Sequence, residues 1–187
     1  MKNKQMEINY SLTENDYLQQ QLYLASKSKL IKKQKKLAKI LVTLILLLIG
    51  FLFYLNKCLV EAYYFTSAGI VCFFIFPIYL KHYYQRLFKK YVNENLKDRV
   101  GIVSSIIFKE DLLETTSENI GKAELNFSSF ENIIEIADYF FITLKASGNL
   151  IIPKDKIENV ENLRNTLKTI AEKQQINFLS ELDWKWK

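Results

Sequence analysis

Two uncharged apolar segments decide the class of this chain: ILVTLILLLIGFLFYL at residues 40–55 and AYYFTSAGIVCFFIFPIYL at residues 62–80. A helix of about 20 apolar residues crosses the hydrocarbon core of a bilayer. With their flanking residues, the two segments predict spans at about 38–56 and 61–80. Because the link between them is too short to be a domain, they predict a transmembrane helical hairpin over residues 40–80.

Positive residues precede the first span and follow the second, so they lie at the end of the hairpin away from the link between the spans. We call the eleven cations that flank it the basic collar: Lys27, Lys29, Lys32, Lys33, Lys35, Lys36, Lys39, Lys81, Arg86, Lys89 and Lys90. The link between the spans has only Lys57, which Glu61 balances. Since loops rich in Lys and Arg stay in the cytoplasm, we predict a multi-pass cell-membrane protein with both termini cytoplasmic. The collar should attract anionic lipid headgroups without specificity.

The net charge of +6 conceals two halves of opposite sign. Residues 1–90 hold 14 Lys or Arg against 4 acids, a balance of +10, while residues 91–187 hold 12 against 16, a balance of −4. A nucleic-acid-binding domain needs a basic face on the folded domain itself. The sequence therefore predicts no nucleic-acid partner, and the acidic balance disfavours specific phosphoinositide recognition.

Residues 1–39 are predicted to form a cytosolic strand followed by an amphipathic and then basic helix. Residues 6–12 alternate like a strand, and Thr13 with Asp16 matches a capping box that opens a helix at Glu14. Three apolar side chains then share one helical face and predict packing against protein: Leu18, Leu22 and Ala25.

Beyond the hairpin, residues 81–100 predict a cytosolic helical extension, and residues 101–173 predict a strand-rich domain. Six short strands are expected at 103–108, 112–117, 123–127, 133–137, 140–145 and 150–152. Four apolar residues then recur at helical spacing and predict a closing helix: Val160, Leu163, Leu167 and Ile170. The predicted fold is thus an α+β membrane protein with an antiparallel sheet or half-barrel capped by a C-terminal helix. The tail 174–187 fits either a docking helix or a frayed terminus.

Three stretches resemble the YcxB-like family of bacterial membrane proteins: LTENDYLQQQLYLASKSK (12–29), the hairpin, and the run from FSSFENI (127–133) through DYFFI (138–142) to IIPK (151–154). The positions that carry the resemblance are Thr13, Asp16, Tyr17, Phe130, Ile152, Pro153 and Lys154. The resemblance implies a pleckstrin-homology-like domain over residues 101–173. It supplies neither a catalytic residue nor a ligand motif.

No group of residues in the sequence has the pattern of a catalytic or metal site. His82 is the single histidine, so no second imidazole can complete a metal site or a proton relay. The acids Glu131, Glu135 and Asp138 lie close together in sequence, but we expect them to form a solvated face. The sequence therefore predicts that the protein is not an enzyme and uses no cofactor.

The prediction that follows is a membrane protein that presents a cytosolic interaction module to a protein partner or to a second copy of itself. Self-protection against a membrane-active toxin or bacteriocin is the alternative. An oligomeric channel or a transporter accessory subunit is weakened by the lack of ionisable groups inside the spans. Residues 93–173 are expected to fold alone.

Overall fold

The computed structural model describes residues 6–118, 121–146 and 148–187. Four helices are present: α1 (Glu14–Lys27), α2 (Lys29–Leu55), α3 (Leu59–Asn95) and α4 (Val160–Gln174). The strands are β1 (Met6–Ser11), β2 (Val103–Phe108), β3 (Leu112–Ser117), β4 (Gly121–Asn126), β5 (Phe130–Ile136), β6 (Tyr139–Leu144), β7 (Asn149–Pro153) and β8 (Asn177–Glu181). Short 3-10 helices lie at Lys97–Arg99, Phe127–Ser129 and Lys154–Lys156.

The chain divides into two compact units. What we call the strand-rich unit contains the described residues up to Gln20 together with Tyr91–Lys185. The helical unit contains Gln21–Lys90 together with Trp186–Lys187. Helices α1 and α3 therefore contribute residues to both units.

In the helical unit, α2 and α3 are each long and apolar enough to span a membrane. They pack closely because small residues face the partner helix: a Cβ added at Gly50 would lie 2.6 Å from Thr66 Oγ1. The rings of Phe53 and Phe65 stack with centroids 5.4 Å apart. The chain therefore forms the helical hairpin that the sequence predicts, with the small residues at its interface.

The start of α1 confirms the predicted capping box. Thr13 N–H donates to Asp16 Oδ2 at 2.7 Å, and Asp16 N–H donates to Thr13 Oγ1 at 3.3 Å. The three side chains predicted to pack against protein are buried: Leu18, Leu22 and Ala25. The helix ends at Lys27, and Ser28 caps α2 through its side-chain oxygen, which accepts from Ile31 N–H at 3.3 Å.

The strand-rich unit contains two four-stranded sheets, where the sequence predicts one antiparallel sheet or a half-barrel. The first sheet has the order β1-β2-β3-β4 and is antiparallel throughout. The second has the order β7-β6-β5-β8, in which β8 runs parallel to β5. Strands β1 and β8 lie outside residues 101–173, so a fragment of residues 93–173 lacks one edge strand of each sheet. The fold class α+β is confirmed, and the pleckstrin-homology-like fold stays a prediction.

One hydrophobic core joins both sheets to α4. It contains Ile8, Tyr10, Ile106, Phe108 and Leu113 from the first sheet, Phe130, Ile133, Phe140, Ile142 and Ile152 from the second, and Leu163, Leu167, Ile170 and Ala171 from α4. The predicted apolar stripe of α4 accordingly faces this core, with Leu163 and Leu167 fully buried. Such burial stabilises the fold by about 1.5–3 kcal/mol for each large apolar side chain.

The tail 174–187 is neither the helix nor the frayed terminus that the sequence allows. Gln175 adopts a left-handed conformation with φ 54° and ψ 38°, which ends α4 and turns the chain. Residues Asn177–Glu181 then extend as β8 along β5. Trp186 lies in the helical unit and is 9% exposed.

Candidate functional site

The basic collar lies on three helices: the end of α1, the first turns of α2 and the second half of α3. Eight of its side chains are exposed to solvent: Lys27, Lys29, Lys32, Lys33, Lys36, Arg86, Lys89 and Lys90. The other three are half-buried: Lys35, Lys39 and Lys81. The exposed members have the placement that attraction to anionic headgroups requires, and this attraction stays a prediction.

Two of the collar lysines, Lys35 and Lys39, make aromatic contacts that link different segments of the helical unit. Lys39 Nζ lies 3.5 Å from the centroid of the Phe73 ring. Lys35 Nζ lies 3.8 Å from the centroid of the Trp186 ring and donates to Lys187 O at 3.1 Å. Trp186 Nε1–H donates in turn to Lys81 O at 3.1 Å. These cations therefore hold α2, α3 and the end of the chain together through cation–π contacts and hydrogen bonds.

A groove of about 650 Å³ follows β1 in the strand-rich unit. Met6, Glu7, Ile8 and Asn9 line one side, and residues 156–159 with Asn162 line the other. Within the described part of the chain, β1 pairs with β2 alone and so forms an edge of the first sheet. The groove thus gives access to an unpaired strand edge, where an extended peptide can add.

The register decides which residues of β1 direct their amide groups into this groove. Glu118 N–H donates to Val103 O, so the backbone groups of Val103 point from β2 to β3. Because backbone groups alternate in direction along a strand, those of Ser104 and of every second residue after it point to β1. Their partners on β1 are Tyr10, Ile8 and Met6. The backbone N–H and C=O groups of Glu7 and Asn9 therefore point to the open edge.

A buried ion cluster ties the second sheet to α4. Glu135 is 1% exposed, and its Oε1 accepts from Lys154 Nζ at 2.7 Å and from Arg164 Nε and Nη2 at 2.9 and 2.7 Å. Lys154 Nζ also donates to Ile136 O at 2.7 Å. Burial raises the pKa of Glu135, but the hydrogen bonds and charges of Arg164 and Lys154 outweigh it and hold that pKa below its usual value. The expectation of a solvated acidic face is therefore wrong for Glu135, whereas Glu131 and Asp138 are exposed.

A second buried carboxylate connects α1 to the second sheet. Asp16 is 7% exposed, and its Oδ1 accepts from Tyr139 Oη at 2.7 Å, while its Oδ2 caps the helix. Burial, followed by the hydrogen bond to Asp16, raises the pKa of the Tyr139 phenol. The Tyr139 phenol thus stays protonated and donates to Asp16. Asp16 therefore both caps α1 and joins it to the second sheet.

The positions that carry the family resemblance take structural places within the strand-rich unit. Thr13 and Asp16 form the cap, and Tyr17 Oη lies 3.5 Å from Arg99 O. Phe130 and Ile152 are fully buried in the core, Pro153 is the last residue of β7, and Lys154 neutralises Glu135. Within the part of the chain that the structure describes, no group of three or more His, Cys, Asp or Glu side chains could hold a metal ion.

Comparison with known families gives one match. Residues 108–167, from the last residue of β2 into α4, match the model of the YcxB-like protein family. The match confirms the family resemblance for this segment, which runs from β3 to β7 and contains the three residues of the ion cluster, Glu135, Lys154 and Arg164. The resemblance at residues 12–29 and in the hairpin lies outside the matched segment. Comparisons with curated proteins and with solved structures gave no match.

Proposed function

We propose that this protein, which carries a YcxB-like segment, is a non-enzymatic membrane-anchored interaction module. The α2–α3 hairpin crosses the cell membrane with both termini in the cytoplasm. The strand-rich unit binds an extended segment of a protein partner along the open edge of β1. The groove beside that edge is the observation that carries the proposal.

The surface of the helical unit supports the anchoring part. Large apolar side chains on both helices are exposed, among them Leu41, Leu44, Leu48, Phe74 and Ile78. Exposed apolar surface of this extent is typical of a segment that faces lipid. The collar lies at the end of the hairpin opposite Cys58, which is the orientation that the positive-inside rule requires.

The exposed Cys58 in the turn between α2 and α3 allows a direct test of topology. In a Cys72→Ala variant expressed in protoplasts, we expect a membrane-impermeant maleimide to label Cys58 before lysis. The control removes both native thiols and places a cysteine at exposed position Glu131, so that Glu131→Cys should label only after lysis. Labelling of both positions only after lysis would rule out the crossing.

The edge of β1 supports the binding part, because main-chain groups supply affinity in strand addition and side-chain pockets supply selectivity. Asn9 presents its amide at the open edge, and its side chain donates to Glu7 Oε1 at 3.3 Å. Lys156 and Glu158 on the opposite wall place charges of both signs along the groove. This surface fits a polar extended segment of a protein.

Replacing Asn9 with proline tests whether the partner binds by strand addition or by general contact with the surface. We expect a photo-crosslinking amino acid at Lys156 of the full chain to yield one partner adduct in membranes. In Asn9→Pro the yield should fall about tenfold, because the edge loses an N–H donor and gains a ring that excludes the added strand. The edge position leaves pairing with β2 intact.

The matched control is Asn9→Thr, which keeps the backbone N–H and should keep the adduct. Equal yields from Asn9→Pro and Asn9→Thr would refute strand addition. The mass of the adduct distinguishes a different protein from a second copy of this chain. Protection against a membrane-active toxin, the alternative from the sequence, would instead be measured as a rise in the dose that kills a sensitive strain.

A further inference from the structure

A second cleft, of about 260 Å³, lies in the strand-rich unit beside Tyr10 and Leu12, at the end of β1. Strands β1, β2, β3 and β7, the first part of α1 and the 3-10 helix Lys97–Arg99 line it. Its volume of about 260 Å³ is just below the range of about 300–1,000 Å³ that sites for drug-sized ligands occupy, so it suits a smaller molecule. It shares no lining residue with the groove along β1.

The inner face of the first sheet changes from apolar to hydroxyl-bearing as it enters this cleft. Along the paired strands β2 and β3, Phe108 faces Leu113, then Ile106 faces Thr115, then Ser104 faces Ser117. All six side chains share one face, because side chains on a strand repeat every second residue. Four of these residues line the cleft, and three of the four carry hydroxyls: Ser104, Thr115 and Ser117. A hydrophobic core that continued to this point would need apolar side chains there.

Two polar groups of the cleft retain hydrogen-bonding capacity. Ser104 Oγ and Ser117 Oγ lie 2.8 Å apart, so one hydroxyl donates to the other and the acceptor keeps its own proton. Asn149 Oδ1 is buried and has no hydrogen-bond partner among the described residues. A buried acceptor without a donor costs about 1–3 kcal/mol, and a ligand that donates to Asn149 recovers part of this energy, because its own donor loses water on binding.

The lining of the cleft also includes a cation and two phenols. Arg99 is exposed and contributes the positive charge. Burial raises the pKa of Tyr10 and, despite the nearby Arg99, that of Tyr17. Both phenols therefore stay protonated, and Tyr17 Oη donates to Arg99 O at 3.5 Å. A guanidinium beside the neutral hydroxyl of Tyr10 matches a carboxylate.

We propose that this cleft binds a small carboxylic acid that carries a hydroxyl or amino group at its other end. The carboxylate pairs with Arg99, the distal donor satisfies Asn149 Oδ1, and the carbon chain contacts Ile102 and Leu150. This inference is independent of the β1 groove and of the partner that the groove binds. It gives the strand-rich unit a binding site for a small molecule.

The test uses calorimetry on the full chain in nanodiscs, with empty nanodiscs as the blank. The probes are 6-hydroxyhexanoate, hexanoate, which lacks the distal donor, and 1,6-hexanediol, which lacks the carboxylate. We expect 6-hydroxyhexanoate to bind saturably, hexanoate to bind about threefold more weakly, and the diol at least about tenfold more weakly. Absence of saturable binding by 6-hydroxyhexanoate would overturn the proposal.

Variants then assign the binding to the cleft. Arg99→Gln should weaken 6-hydroxyhexanoate about tenfold, whereas Lys97→Gln, a cation of the same 3-10 helix outside the cleft, should leave it unchanged. Asn149→Leu should make hexanoate and 6-hydroxyhexanoate bind equally. Equal weakening by Arg99→Gln and Lys97→Gln would show a general surface-charge effect and refute the site. Unchanged thermal unfolding of Arg99→Gln is the check on folding.

Discussion

Replacing Gly50 with leucine is expected to separate α2 from α3 and to destabilise the hairpin by about 3 kcal/mol or more. A Cβ at this position would lie 2.6 Å from Thr66 Oγ1, 3.1 Å from Thr66 N and 3.2 Å from Ala62 O. Two of these three atoms belong to the backbone of α3, so a change of side-chain rotamer cannot relieve the clash. Thermal unfolding of the purified chain in detergent, followed by circular dichroism, measures the loss.

Leu48→Phe is the matched control, because it adds bulk to the same helix at a position that is 59% exposed. Its unfolding temperature should stay close to that of the wild type, since surface substitutions usually change stability by less than about 0.5 kcal/mol. Gly50→Ala should lower the temperature in the same direction as Gly50→Leu, but by less. An unchanged unfolding temperature in Gly50→Leu would mean that the two helices do not pack at this point.

Replacing Lys154 with methionine is expected to cost about 3–5 kcal/mol of folding free energy, because it removes one of the two cations that neutralise the buried Glu135. The pKa of Glu135 is held below its usual value of 4.5 in the folded state. Its ionised form therefore stabilises the fold above pH 4.5, and this contribution is lost as the pH falls below that value. Urea unfolding of the full chain at pH 7, read by circular dichroism, gives the cost.

Lys156→Met provides the control two residues away. The Lys156 side chain is 41% exposed, and its partner Asp155 is 71% exposed, so the pair contributes little. Replacing Glu135, Lys154 and Arg164 together with apolar residues should recover much of the lost stability, because no unpaired charge then remains buried. Equal effects from Lys154→Met and Lys156→Met would contradict the assignment of Glu135 as a buried charge.

Features that depend on neighbouring residues were predictable from the sequence. The cap at Thr13 needs only Asp16 three residues later, and the boundaries of β2 and β3 follow from local alternation and turns. The hairpin was equally accessible, because its length and its lack of charge are local properties.

Features that join distant segments could not be predicted in this way. Glu135 has its cations 19 and 29 residues later, at Lys154 and Arg164, and nothing near Glu135 in sequence indicates them. The tail has apolar residues at helical spacing, at Ile176, Leu179 and Leu182, but pairing with β5 makes Asn177–Glu181 a strand. Tyr139 reaches Asp16 across 123 residues. The β1 groove and the second cleft depend on such contacts, so the sequence alone gave no indication of either.

The position of β1 in the chain imposes an order on biosynthesis. This strand leaves the ribosome before the hairpin, whereas its only described partner, β2, is made after both long helices. Until then the apolar side chains of Ile8 and Tyr10, which later enter the core, have nothing to pack against. A chain in which β2 does not reach β1 therefore displays an orphan strand that proteases and chaperones can recognise. Closure of the first sheet thus has to wait until both long helices have been made.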